Sequence, residues 1–166
     1  MIKDKVQEAL NKQINRELYS AYLYLSMAAY FESINLKGFA HWMRIQAREE
    51  VGHAMKLYDH LVERGGRVGL QSIDAPPREW KSPLEVFEEV YRHERTVSQM
   101  IDDLVNLARS EGDNAAEVFL QWFVKEQVEE EASALEILER LKLVGEGGQA
   151  LFMIDRELAK REAEQD

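Results

Sequence analysis

Cysteine is absent from the 166-residue sequence, and proline and glycine are scarce, with three and nine residues. Without cysteine the chain has no disulfide and no thiolate metal site, so any bound metal must use oxygen and nitrogen donors. The low proline and glycine content, together with 45% hydrophobic residues, argues against disorder. We therefore expect a folded chain that is most simply one domain over residues 1–166.

Positive charge is also in short supply. The chain has 21 lysines and arginines against 31 aspartates and glutamates, a formal net charge of −10. This balance disfavours nucleic acid and anionic membranes as partners and suits the attraction of cations. The first residues, MIKDKVQEALNKQINREL, are charged throughout, and no apolar run approaches membrane-spanning length. These features predict a cytoplasmic protein.

The dominant pattern in the sequence is a helical period. Apolar and small side chains recur at steps of three and four residues in five segments. Gly65-Gly66 is typical of a helix C-terminus, and Ser82-Pro83 is typical of a helix N-terminus. The predicted helices cover residues of about 3–33, 38–64, 83–110, 114–143 and 149–163.

The second and third predicted helices are separated by RVGLQSIDAPPREWK, which contains Pro76-Pro77 and no helical period. This segment of about 15 residues exceeds the usual loop length, so we expect it to cross the molecule. Two helical pairs joined by one long crossover predict an all-α four-helix bundle, followed here by a short fifth helix. An up-up-down-down cytokine bundle would need two long crossovers, and the sequence offers one.

Ligand-type side chains interrupt the apolar stripe of each long helix. They are Glu17, Glu50, His53, Glu94, Gln127 and Glu130. Each lies within about three positions of the midpoint of its segment, a few ångströms at about 1.5 Å per residue. Midpoints of bundled helices coincide whichever way the helices run, so we expect these side chains in one layer of the core.

Four carboxylates in one buried layer would be unstable by themselves. Burying a charge costs several kcal/mol, and neighbouring carboxylates repel or protonate. Two divalent cations would balance the four charges. The Glu50-x-x-His53 spacing places both donors on one helical face, and such oxygen and imidazole ligands suit iron, manganese or zinc without distinguishing them. A single glutamate in a predicted apolar stripe would more simply mean that the helical phase is wrong. That explanation does not fit four glutamates at the same height on four helices.

The chain resembles the non-haem ferritins of the bacterial and archaeal type over essentially its whole length. The stretches that carry the resemblance are NRELYSAYLYLSMAAYF, HWMRIQAREEVGHAMKLYDHLVERGGRV, His93-Glu94 and FLQWFVKEQVEEEASA. The resemblance implies a ferritin-like four-helix bundle with one crossover and a short fifth helix, assembled as a homo-oligomeric hollow shell of two dozen subunits. It also implies iron storage and detoxification by ferroxidase activity, in which Fe(II) is oxidised by O₂ and ferric mineral is deposited inside the shell.

The same resemblance implies a di-iron site within each subunit. Glu17, Glu50 and His53 would bind one iron. Glu50 would bridge to a second iron, held also by Glu94 and Glu130.

Further residues carry roles by the same resemblance. Gln127 would lie beside the two irons, and Tyr24 would donate a hydrogen bond to a ligand carboxylate. A third iron position toward the shell interior would be formed by Glu49, Glu126, Glu129 and Glu130.

Related families fit less well. Bacterioferritins would repeat E-x-x-H where this chain has Gln127-x-x-Glu130, and would place a haem-binding methionine at Val51, so we expect no haem. Rubrerythrins would add a cysteine-bearing domain, and the DNA-protecting mini-ferritins place their site between subunits.

Two other interpretations stay open: a di-iron oxidase or peroxidase that forms no cage, and a structural bundle with solvated carboxylates. The basic residues Arg156, Lys160 and Arg161 are interpreted as a helix-end charge pattern.

Overall fold

A computed structural model describes residues 1–145 and 147–164, which contain five α-helices and no strand. The helices are α1 (Asp4–Ser33), α2 (Lys37–Glu63), α3 (Pro83–Ser110), α4 (Asn114–Val144) and α5 (Gly148–Leu158). Helix α1 packs on α2 and α3 packs on α4, and one long crossover joins the two pairs. The predicted all-α four-helix bundle with a short fifth helix is confirmed. Residues 146, 165 and 166 of the expected domain lie outside the described residues, and no described helix is long and apolar enough to cross a membrane.

Local residues determine where the helices begin and end. Ser82 Oγ accepts a hydrogen bond from Glu85 N at the start of α3, and Asp113 accepts one from Ala116 N at the start of α4. Both contacts satisfy N–H groups that the first turn of a helix leaves unpaired. Gly65 ends α2 with a φ of 74°, the left-handed conformation that glycine adopts without a steric penalty.

Side-chain amides hold the first part of the crossover along α1. Gln7, Asn11 and Asn15 are four residues apart and therefore lie on one face of the helix. The contacts are Gln7 Oε1 with Arg67 N at 2.9 Å, Asn11 with Arg67 O at 3.0 Å and Gly69 N at 2.9 Å, and Asn15 with Gln71 O at 3.4 Å and Ser72 O at 2.9 Å. The crossover therefore follows α1 in a fixed register.

The hydrophobic core is divided into two parts along the bundle. One part includes Phe31, Phe39, Phe87 and Leu138, and the other includes Leu10, Leu57, Ile101 and Leu120. On all four long helices the interval between the two parts contains the predicted ligand residues. Their layer is thus enclosed above and below by close-packed apolar side chains.

Helix α5 docks against the first turn of α2 through a very close backbone approach. A Cβ atom on Gly38 would lie 1.7 Å from the carbonyl oxygen of Asp155, so this contact requires glycine. Asp155 Oδ1 also accepts a hydrogen bond from Phe39 N at 2.9 Å. A carboxylate is favourable at this end of α2 because of the unpaired N–H groups and the helix dipole.

The prediction of a fifth helix over residues 149–163 is wrong at its C-terminal end. Helix α5 ends at Leu158, and residues 159–164, which we call the C-terminal tail, lie against α2. The Arg161 side chain donates to Trp42 O and to Glu49, and His41 Nε2 lies 2.8 Å from Arg161 O. Local backbone bonds continue to Arg161 N, which donates to Leu158 O, and the side chain of Arg161 is held by α2, so the interpretation as a helix-end pattern does not hold for Arg161.

Candidate metal centre

The structure brings the six predicted ligand-type residues of the stripes into one buried layer. The most exposed of them, Glu130, has only 7% of its surface accessible. Helix α1 supplies Glu17, and α2 supplies Glu50 and His53 from adjacent positions of one face. Helices α3 and α4 supply the rest. The layer exists because each of these residues replaces an apolar one in an otherwise regular stripe.

Five of these six residues, together with the buried Glu126, form three overlapping groups whose ligand atoms lie within 4.8 Å of one another, a spacing at which one cation can be held. We call them the central clusters: Glu17, Glu50 and His53; Glu50, Glu94 and Glu130; His53, Glu126 and Glu130. Glu50, His53 and Glu130 each belong to two clusters. This sharing of ligands is the arrangement that two adjacent metal ions need.

Three buried ligand atoms have no hydrogen-bond partner in the part of the chain that the structure describes: Glu17 Oε2, His53 Nδ1 and Glu126 Oε1. His53 Nδ1 lies 3.3 Å from Glu50 Oε2 and 3.9 Å from Glu17 Oε2. An unpaired buried polar group costs about 1–3 kcal/mol. A cation between these atoms would remove that cost, so the donor set fits a metal.

Tyr24 and Gln127 both contact the Glu94 carboxylate. The Tyr24 hydroxyl donates to Glu94 Oε1, and Gln127 Nε2 lies 3.2 Å from Glu94 Oε2. Gln127 Nε2 also lies 3.1 Å from Ser98 Oγ. These contacts fix the Glu94 carboxylate from both sides.

Two further amides support the clusters, and the sequence pattern did not single them out as site residues. Gln13 Nε2 donates to Glu17 Oε1 at 3.1 Å, and Gln46 Nε2 donates to Glu130 Oε2 at 2.5 Å. Each amide precedes a ligand-type glutamate of its own helix by four residues. A buried glutamine at that spacing is the signal that would have found them.

Burial and repulsion by neighbouring carboxylates raise the pKa values of three glutamates of the central clusters. Burial raises the pKa of Glu130 to about 8, with a further contribution from the nearby Glu94 carboxylate. Burial raises the pKa of Glu94 to about 7, although hydrogen bonds from Tyr24 and Gln127 lower it. Burial and the carboxylate of Glu164 raise the pKa of Glu126 to about 7. These groups therefore hold protons near neutral pH that a cation would displace.

In the cluster of Glu17, Glu50 and His53, the two carboxylates and the imidazole change one another's pKa values. Burial and the Glu17 carboxylate raise the pKa of Glu50 well above its usual range. Burial alone would lower the pKa of His53, but the Glu17 and Glu50 carboxylates outweigh it and raise that pKa to about 12. Burial opposes ionisation of Glu17, yet the proximity of His53 lowers its pKa. The carboxylates of Glu17 and Glu50 thus favour positive charge between them.

A fourth group, the outer cluster, consists of Glu126, Glu129 and Glu164, again with ligand atoms within 4.8 Å of one another. Glu129 and Glu164 are exposed, and Glu164 comes from the C-terminal tail. The periodic pattern gave no signal for Glu164, because it lies beyond the last predicted helix.

The structure does not unite the four carboxylates predicted for a third iron. Glu49 is absent from all four clusters found among the described residues, because Arg161 Nη2 lies 2.8 Å from Glu49 Oε2 and Glu164 N lies 3.3 Å from Glu49 Oε1. Glu126 shares the outer cluster with Glu129 and one central cluster with Glu130, but no cluster contains both Glu129 and Glu130.

A cleft of about 430 Å³ lies on the same side of the bundle and reaches the imidazole of His53. Its walls include Glu49 and Trp122, and the tail residues Ala163 and Glu164. The Trp122 ring lies edge-on to the imidazole, with centroids 5.3 Å apart. The cleft links the central clusters with the outer one.

Comparison with known proteins adds independent findings. Residues 7–144 match the ferritin family described as "Ferritin-like domain". The bacterial non-heme ferritin of Bacteroides fragilis (strain 638R) is 48% identical over 161 residues, covering 97% of this chain and 100% of that protein. The bacterial non-heme ferritin of Escherichia coli O6:H1 is 38% identical over 159 residues, covering 96% of each chain. The open pore ferritin of the hyperthermophilic archaeon Archaeoglobus fulgidus superposes with a TM-score of 0.97 at 58% identity, covering 98% of this chain and 100% of that one.

Proposed function

The chain belongs to the ferritin-like domain family, and on that premise we propose that it stores and detoxifies iron, oxidising Fe(II) with O₂ and depositing ferric mineral inside a homo-oligomeric shell of two dozen subunits. The observation that carries this proposal is the set of overlapping, buried central clusters with three unpaired ligand atoms. Such a set is costly for a bundle that binds nothing. It therefore disfavours the reading as a purely structural bundle.

We propose that the substrate irons occupy two neighbouring positions. Glu17, Glu50 and His53 hold the first, and Glu50 bridges to the second, which Glu94 and Glu130 complete. Each of the two Fe(II) gives up one electron, so O₂ accepts two electrons and two protons and leaves as hydrogen peroxide, and the hard carboxylate oxygens stabilise the two Fe(III) that result. The chain itself contributes the spacing of the two ions and the exclusion of bulk water by the apolar core on either side.

The supporting side chains orient this site and handle its protons. Tyr24 and Gln127 keep the Glu94 carboxylate aimed at the second position. The raised pKa values of Glu94 and Glu130 mean that arriving Fe(II) displaces protons instead of entering a fully charged cavity. Release of protons on binding is therefore part of the proposed function.

We also propose a third iron position on the shell-interior side of the site, held by Glu126, Glu129 and Glu130. Glu49 joins this position only when its ion pair with Arg161 opens, since both of its oxygens already have partners in the tail.

The test is an anaerobic titration with Fe(II), followed by exposure to O₂ in a stopped-flow spectrometer. We expect two Fe(II) per chain at the tightest step and rapid oxidation to a diferric absorption band. Exposed Glu8→Ala on α1 is the control, because it removes a carboxylate of the same helix outside the clusters. Slow oxidation at the rate of buffered Fe(II) alone would contradict the proposal.

The shell requires a separate measurement, because the five glutamates of the central clusters and His53 come from a single chain. A discrete di-iron oxidase or peroxidase would therefore use the same residues without any cage. Native mass spectrometry and light scattering separate the two functions. A hollow assembly of two dozen chains supports storage, and a small dimer would leave only the oxidase.

A further inference from the structure

We infer that Arg161 of the C-terminal tail positions two central carboxylates through the amide of Gln46, so that the tail is a working part of the metal centre. The inference rests on the proposed function and deepens it. It assigns positioning roles to two residues that have no direct place among the ligands.

Gln46 connects the tail with the clusters. Its side chain is buried, with 1% of the residue exposed. The amide nitrogen donates to Glu130 Oε2 at 2.5 Å and lies 3.3 Å from Glu50 Oε1. The amide oxygen accepts from Arg161 Nη2 at 2.9 Å. One planar group therefore touches the tail at one end and two carboxylates at the other.

The chemistry of the partners fixes which way the amide points. A guanidinium only donates hydrogen bonds, so it must face the amide oxygen, and the carboxylates on the other side then meet the amide nitrogen. Without Arg161 the amide loses the contact that selects this orientation. The reversed amide would turn its oxygen toward Glu130 and Glu50 and repel them.

Arg161 is itself held in place by three independent contacts. Its Nη1 donates to Trp42 O at 3.1 Å, its guanidinium carbon lies 4.3 Å from the centroid of the Trp42 ring, and its Nη2 lies 2.8 Å from Glu49 Oε2. Only 19% of the side chain is exposed. The planar fork of arginine makes these contacts together, which the single ammonium of lysine does not.

The two carboxylates that Gln46 contacts are shared ligands. Glu50 and Glu130 each belong to two of the central clusters, so a change in their orientation alters both proposed iron positions. Residues that orient metal ligands from outside typically contribute 10- to 100-fold in metal affinity. The effect of the tail is therefore expected in binding as well as in oxidation.

The experiment is an anaerobic titration with Co(II), whose visible spectrum reports its coordination without oxidation chemistry. We compare wild type, Arg161→Ala, Gln46→Met and the double variant. Each single variant should weaken the tightest Co(II) step about ten-fold and change the shape of the spectrum. The double variant should be no weaker than either single one, because both changes interrupt the same chain of contacts.

Two matched controls isolate this chain of contacts. Arg156→Ala removes the same charge from the exposed face of α5 and should leave Co(II) binding unchanged. Glu49→Gln removes the charge of the ion pair with Arg161 but leaves the contact of Arg161 with Gln46, so the tightest Co(II) step should weaken less than in Arg161→Ala. Arg161→Lys keeps the charge and most of the packing, which covers the case in which the alanine variant does not fold, and should lose affinity because it lacks the fork.

Several results would overturn the inference. These are wild-type affinity and spectrum in Arg161→Ala or Arg161→Lys, additive effects in the double variant, or an effect of Glu49→Gln equal to that of Arg161→Ala, which would assign the effect to the ion pair. If the wild type itself binds no Co(II) or Fe(II) in the layer, it is the proposed function that fails.

Discussion

The central clusters and the outer cluster are built from the same kind of side chain, but they depend on different parts of the chain. The central clusters draw on four long helices, are buried, and form no ion pair with lysine or arginine in the described residues. The outer cluster has two exposed members, and one of them arrives with the tail. The bundle thus supplies every ligand of the central clusters, whereas the docking of α5 brings in Glu164 of the outer cluster.

Loss of a ligand from the central clusters should have the largest effect. His53→Ala removes the only histidine of the layer, and we expect the rapid phase of Fe(II) oxidation to slow by more than about 100-fold, beyond what loss of a supporting residue costs. Assembly should persist, because the apolar core above and below is untouched. Stopped-flow absorbance measures the rate and light scattering the assembly. A loss of assembly with normal iron binding would mean that the layer is scaffold.

Undocking of α5 should displace the C-terminal tail while every ligand of the central clusters stays on its helix. Gly38→Ala places a methyl group 1.7 Å from the Asp155 carbonyl, so we expect α5 and the tail to leave α2 at a cost of about 1–3 kcal/mol. Co(II) binding should then weaken as in Arg161→Ala, although no ligand has changed. Gly52→Ala is the matched control, because a Cβ there meets nothing within 4 Å, and it should stabilise α2 by up to about 1 kcal/mol. Equal behaviour of the two variants would contradict the docking role.

The pH dependence of stability should also distinguish the metal-free from the metal-loaded centre. The raised pKa values of Glu94, Glu126 and Glu130 mean that the folded state holds more protons than the unfolded state near neutral pH. Stability then falls as pH rises, so the Tm of the metal-free protein should drop by several degrees between pH 6 and 9. The raised pKa of His53 acts in the same direction in this window, while the lowered pKa of Glu17 acts only under acidic conditions.

Metal should reverse this trend, because it replaces the protons and stabilises the folded state by mass action, by about 2.7 kcal/mol at a concentration of 100 times Kd. Calorimetry with and without Co(II) at each pH measures both effects. A metal-free Tm that rises over this range would show that the layer is hydrated and freely ionised.

The smallest effect is expected at Tyr24. Tyr24→Phe removes the hydroxyl that donates to Glu94 but keeps the buried ring, so the unfolding free energy should fall by about 1 kcal/mol. Oxidation should slow by less than about ten-fold, because Gln127 still contacts the same carboxylate. Chemical denaturation and stopped-flow kinetics test the two parts. A loss as large as that of His53→Ala would make Tyr24 essential to the reaction.

The same contrast explains how much could be predicted from the sequence. Helical period shows which face of a helix is buried, and equal heights bring Glu17, Glu50, Glu94 and Glu130 together in any arrangement of the bundle. This reasoning needs no knowledge of side-chain contacts, so it predicted the layer. Its assignment to individual irons is a prediction that the titrations above address.

Periodicity could not predict the edge of the site. The end of α5 depends on what Arg161 meets on α2, and nothing local to residues 159–164 shows that Trp42, Gln46 and Glu49 lie there. The extension of the helix to residue 163 has this cause, because it treated the end of the chain as a local matter, whereas tertiary contacts determine it. The placement of Glu49 came from the family resemblance and stays a prediction.

The amides that hold the crossover have a consequence for how the length of the chain is constrained. The eight residue steps from Gln7 to Asn15 rise about 12 Å along α1, and the four extended steps from Arg67 to Gln71 span about 13 Å. The hydrogen-bonding positions on the helix and on the crossover therefore have matching spacings. One residue inserted in this stretch would misalign every later contact. Beyond Ser72 the next such contact joins Ser26 to Pro77 O, and the match continues, since eleven residue steps along α1 rise about 16 Å and five extended steps of the crossover span about 17 Å. Natural or engineered changes of length should accordingly be disfavoured over the whole interval from Arg67 to Pro77.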